Sequence, residues 1–123
     1  MRILLVDDTE DVRETVGAMA KSLGHDVIAV DNAIIAVKLA AADPPDLVLM
    51  DLFMPEVDGA QAAAALHSIS PLRHLRIVLI TAFPEKLSPH VREGSWDGLL
   101  IKPFNLHDLE RVLKRFDGGA SGP

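Results

Sequence analysis

Short apolar runs alternate along this chain with longer segments in which apolar residues recur at helical spacing. Strand-like runs fall at about Arg2 to Val6, Asp26 to Val30, Asp46 to Asp51, Arg76 to Ile80 and Leu99 to Ile101. Between the first two, Thr9 stands as a helix cap ahead of Val12, Val16, Met19, Ala20 and Leu23, one face at period 3.6, and Gly24 is a stop. Asn32 is placed to cap a helix through Ala42, which Pro44-Pro45 ends. Gly59 opens an Ala-rich helix to about His67, and Asn105 caps a last one to about Phe116. Pro89 lies where a fourth helix belongs, and an internal proline removes a backbone bond, so the pattern predicts a short helix from about Pro89 to Glu93 after an irregular lead-in. Strand and helix in alternation predict an α/β fold with a parallel sheet and five helices. The run ending in Asp51 is almost wholly apolar, which predicts a central strand covered on both faces.

Composition narrows the class. A chain of 123 residues that is 49% hydrophobic and 24% charged is long enough for one packed domain, and no apolar run reaches membrane-spanning length. Zero cysteines exclude disulfides and thiolate metal sites, and Met1 leads straight into a strand, which together suggest a cytoplasmic protein. A formal charge of -6 argues against direct binding to nucleic acid or anionic membrane. Residues 1–117 are expected to form the domain, with 118–123, rich in glycine, a flexible tail or linker stub.

Chemistry concentrates where strands end. Asp7-Asp8 follows the first strand, Asp51 closes the third, Thr81 follows the fourth and Lys102-Pro103 the fifth. In an open parallel sheet all of these residues fall at the carboxyl ends, where the binding crevice lies. Each has an ordinary explanation alone: the acid pair as a helix-start signal, Thr81 as a capping hydroxyl, Lys102-Pro103 as a turn. Together they describe a site. Three clustered carboxylates repel one another, and a hard cation such as Mg2+, or Mn2+, relieves that repulsion through oxygen ligands. Beside them an ammonium and a hydroxyl suit an anion with several oxygens, and phosphoryl fits best.

These residues, with Met54-Pro55 and Gly59 after Asp51, resemble the receiver domain of two-component response regulators, the CheY-like superfamily, across about Arg2 to Phe116. The resemblance implies a flavodoxin-like five-stranded parallel sheet, order 2-1-3-4-5, with helices on both faces. It implies that Asp51 is the phosphoacceptor, that Asp7, Asp8, Asp51 and the backbone carbonyl of Phe53 hold Mg2+, and that Thr81 and Lys102 contact the phosphoryl group. It also implies a cis Lys102-Pro103 bond, while the small Ala82 would leave the phosphoryl group accessible. The implied donor is a histidine kinase or histidine phosphotransfer protein, and the implied recipient a downstream effector or a C-terminal output domain outside this chain. A monomer or weak dimer is expected, catalysing only its own phosphorylation and dephosphorylation.

The chain departs from that pattern in particular places. Leu99 stands where the family usually carries the aromatic of its switch, so Ala82, Leu99 and Pro103 would have to transmit the signal by other packing. Trp96 nearby reads as a partial core plug. Phe53 and Phe83 put apolar groups two places after Asp51 and Thr81, where they would either shield the acyl phosphate from water or fold away on the surface. Ile34, Ile35 and the Ala62 to Ala65 run make apolar helix exteriors that suggest a docking surface. The histidines, at 25, 67, 74, 90 and 107, share no helical face and read as surface residues, which argues against zinc. A phosphatase of the haloacid-dehalogenase type would need a second acid where Phe53 stands. A pseudo-receiver scaffold, binding partners without phosphorylation, is the remaining alternative.

Overall fold

The computed structural model describes residues 1–52, 59–68, 75–84 and 96–116. Five strands lie in one parallel sheet: β1 (Arg2–Val6), β2 (Asp26–Val30), β3 (Leu47–Asp51), β4 (Arg76–Thr81) and β5 (Gly98–Ile101). Their order is β2-β1-β3-β4-β5, with the change of direction between β1 and β3. Four helices are described: α1 (Glu10–Ser22), α2 (Ala33–Ala42), α3 (Gly59–Ser68) and α4 (Leu106–Lys114). The short helix expected over 89–93 and the tail at 118–123 lie outside the described residues. No described helix is long and apolar enough to cross a membrane.

Strand alternation sorts the core into two layers. Leu4, Val6, Val48, Met50, Ile77 and Leu79 meet Ala33, Ala36 and Ala40 of α2 and Ala63 and Leu66 of α3. Ile3, Leu5, Leu47, Leu49, Val78 and Ile80 meet Val16 and Ala20 of α1 and Leu109 and Leu113 of α4. Every residue of β3 is buried, as its continuous apolar run requires of a central strand. By contrast β2 is an edge with half-exposed residues, and Ile28 is open to solvent together with Ile34, Ile35 and Leu39 of α2.

The helix ends show which local signals act. The Asn32 side chain accepts a hydrogen bond from Ile35 N–H at 2.8 Å, and Asn105 forms a reciprocal capping box with Asp108. Thr9 sits at the N-cap of α1 but its side chain makes no capping bond; instead its backbone N–H donates to the Asp7 carboxylate at 2.9 Å. At the other end of α1, Gly24 takes φ +93°, and the N–H groups of Gly24 and His25 donate back to Lys21 and Ala20, a closure that needs the left-handed region.

Two histidines correct the expectation of surface placement. His25 is buried, with Nδ1 2.9 Å from the Met1 amine, and His67 is half-buried with Nε2 donating to the Leu75 carbonyl at 2.6 Å. Both fill polar needs of neighbouring backbone or terminus, which no spacing pattern along the chain reports. His107 is exposed as expected, and His74 and His90 lie outside the described residues.

Candidate functional site

The carboxyl ends of β1, β3, β4 and β5 meet around a group of polar side chains. Asp7 follows β1 directly, Asp51 is the last residue of β3, Thr81 the last of β4, and Lys102 follows β5. Asp7 is 0% exposed, Asp51 7% and Thr81 1%, whereas Asp8 is exposed. Burial of this many polar groups is unfavourable unless each has a partner, so their partners define the site.

Asp7 is held at every polar atom. Its N–H donates to the Val30 carbonyl at 3.1 Å, its Oδ1 accepts from Thr9 N–H, and its Oδ2 lies 3.3 Å from the Lys102 ammonium. The Asp7 carbonyl accepts from the Arg13 guanidinium at 2.9 Å. Asp8, one residue on, makes no hydrogen bond or ion pair among the described residues. One carboxylate oxygen each from Asp7, Asp8 and Asp51 lie within 4.8 Å of one another.

The opposite wall is built by pairing of β4 with β5. Lys102 N–H donates to the Thr81 carbonyl at 2.8 Å, which keeps the two residues on adjacent strand ends. Thr81 Oγ1 accepts from Phe83 N–H at 2.9 Å, a bond that uses one lone pair and leaves the O–H able to donate. The Lys102–Pro103 peptide bond is cis, as expected. Ala82 and Pro103 are exposed. Leu99 and Trp96 are partly buried against the core layer of α2 and α3, the placement expected of a plug for Trp96. Phe83 is 47% exposed, and Phe53, with its carbonyl, lies outside the described residues.

Of the residues singled out from sequence, the structure thus brings together Asp7, Asp8, Asp51 and Lys102, and puts Thr81 on the neighbouring strand end. Arg13 was missed. Its signal was available: a long side chain in the first turns of a helix leans back toward the N-terminus, here toward the acid pair. The donor set of the acid cluster is oxygen only, and ligand atoms on opposite sides of an octahedral Mg2+ lie about 4 Å apart, so the three carboxylates suit one small hard cation.

Comparison with known proteins agrees with this geometry. Residues 3–114 match the family model of the response regulator receiver domain, and the chain belongs to that family, whose members are signalling modules rather than conventional enzymes. The polar-differentiation response regulator DivK of Brucella anthropi is 29% identical over 119 residues, covering 96% of this chain and 97% of that protein. The receiver domain of a sensor histidine kinase from Pseudomonas aeruginosa PAO1, solved with a magnesium ion coordinated in its active-site cleft, is 31% identical with a TM-score of 0.88, covering 95% of this chain and 97% of that one. The response regulator TrrA of Thermotoga maritima, solved with Mg2+ and BeF, is 27% identical with a TM-score of 0.84, covering 94% and 97%.

Proposed function

We propose that Asp51 accepts a phosphoryl group from a phosphohistidine of a partner protein in an Mg2+-dependent reaction, and that the phosphorylated domain, residues 1–117, signals by protein contact. The observation that carries this reading is the convergence of Asp7, Asp8 and Asp51 within 4.8 Å, with Lys102 against Asp7. The three carboxylates and the Phe53 carbonyl would hold the cation. When bound, a divalent cation neutralises charge on the phosphoryl oxygens and lowers the repulsion met by an attacking carboxylate.

The remaining work falls to side chains of this chain. An Asp51 carboxylate oxygen attacks phosphorus; the new P–O bond forms as the P–N bond breaks, and the electron pair leaves with the imidazole nitrogen, which takes a proton from solvent. Lys102 and the Thr81 hydroxyl stabilise the transferred oxygens, the ammonium as a charge and the hydroxyl as a donor. Exposed Ala82 adds no bulk beside Thr81, which favours access. Leu99 packs on the core in place of an aromatic, so the change of state passes through aliphatic repacking near Ala82, Leu99 and Pro103. The partners by this reading are a histidine kinase or phosphotransfer protein upstream and a protein effector or output domain downstream, in the cytoplasm, with the domain monomeric or weakly dimeric.

The test is incubation with acetyl phosphate or a phosphoramidate, with and without Mg2+, followed by intact mass of wild type and Asp51→Asn. The added mass of one phosphoryl group should require both Mg2+ and Asp51. No adduct in a demonstrably folded protein would overturn the reading and leave a binding scaffold.

A further inference from the structure

Arg13 has acidic neighbours on every side in sequence, Glu10, Asp11 and Glu14 on its own helix and Asp7-Asp8 before it, yet its guanidinium donates to a backbone carbonyl. Among the described residues it forms no ion pair. The carbonyl it meets is that of Asp7, 2.9 Å away, and the contact is partly shielded from solvent. A charged donor spent on a main-chain oxygen amid carboxylates marks a backbone position that is being held.

What is held is the peptide unit joining the two acids. That unit is planar, so fixing its carbonyl also fixes the direction of the Asp8 N–H and the position of the Asp8 Cα. Asp7 has further anchors in Val30, Thr9 and Lys102. Asp8 has none among the described residues, and its carboxylate reaches the cluster with Asp7 and Asp51 only if the backbone before it is set.

We propose that Arg13 is a positioning residue that builds the cation site by orienting the Asp7–Asp8 peptide, an inference that rests on the metal-binding reading above. Two physical roles for Arg13 predict opposite signs. If the guanidinium acted only as a nearby positive charge, removing it would tighten binding of a cation. As a brace for the Asp8 backbone, its removal weakens binding, because partners that orient metal ligands typically contribute about 10- to 100-fold in affinity.

The experiment is Mg2+ titration of the full chain by calorimetry for wild type, R13M, R13Q and R13K, with thermal midpoints measured without metal. R13M keeps the aliphatic stem and loses the donor; its Mg2+ affinity should fall about tenfold, while its metal-free midpoint stays near that of wild type. R13Q repeats the test with a polar side chain if R13M does not fold. R13K, which retains a charged donor, should regain most of the affinity. Equal or tighter Mg2+ binding by R13M or R13Q overturns the proposal while wild-type binding stands. Absence of Mg2+ binding by folded wild type overturns the metal-binding reading itself, and the inference with it.

Discussion

The two ends of the sheet carry charge in opposite ways. At the amino ends of the strands, acids are tied singly to the fold: Asp43 pairs with the Arg2 guanidinium, Asp46 accepts from Arg2 N–H at 2.7 Å, and Asp97 accepts from Ile77 N–H at 2.9 Å. At the carboxyl ends, carboxylate oxygens of Asp7, Asp8 and Asp51 lie within 4.8 Å of one another, and Lys102 reaches Asp7. The first arrangement closes a fold. The second gathers three like charges in a partly buried place, a repulsion that a bound cation would relieve. Acids set singly along the amino ends serve the fold, whereas the cluster at the carboxyl ends suits the proposed chemistry.

Substitutions at the two ends should therefore separate chemistry from stability. The largest effect belongs to Asp51→Asn, which should abolish the covalent phosphoryl adduct in intact mass while the far-ultraviolet circular dichroism stays native. Next, Lys102→Met leaves fully buried Asp7 without its cation and should lower metal-free stability by about 1–3 kcal/mol in urea titration. It should also slow adduct formation by about 100-fold, the loss typical of one electrostatic contact to transferring charge. Part of the lost stability should return with Mg2+, because the cation would take the place of the ammonium beside Asp7. Smaller again, Asp97→Asn at the amino end weakens one carboxylate bond to the Ile77 N–H and should cost about 1 kcal/mol, with Mg2+ affinity and adduct rate unchanged. The smallest belongs to Arg2→Met: it removes a solvent-exposed pair with Asp43 and should move stability by no more than about 1 kcal/mol, less at high salt. An amino-end substitution that altered the phosphoryl chemistry would break the comparison.

How much of this was legible in the chain depends on the range of the interaction. The apolar run from Leu47 to Met50 announces a central strand because burial on both faces leaves no position for polar residues. Asn32 and Asn105 announce helix starts because a cap acts within three residues. The positions of Asp7, Asp8, Asp51, Thr81 and Lys102 were readable because parallel strands bring all their carboxyl ends to one side. What could not be read was the difference between Asp7 and Asp8: identical neighbours, one fully buried and pinned, the other exposed, a distinction set by Lys102 and Val30 from distant parts of the chain. Thr9 was a plausible cap by type, yet its N–H is taken by the Asp7 carboxylate and its side chain makes no capping bond. His25 reads as a surface residue beside Gly24 and is instead buried against the Met1 amine, a contact across 24 positions. The readings that concern Phe53, the Met54-Pro55 turn and the 89–93 helix fall outside the described residues.

The measurement that bears most directly on the contrast between the two ends is the thermal midpoint as a function of MgCl2 at constant ionic strength, for wild type, Asp8→Asn and Asp97→Asn. Constant ionic strength removes general screening, so a rise in midpoint reports a cation bound to the folded state. The account predicts that wild type and Asp97→Asn gain stability together as Mg2+ is added, and that Asp8→Asn, slightly more stable without metal because one repelling charge is gone, gains little. A flat wild-type response, or an Asp8→Asn response equal to that of wild type, would contradict it.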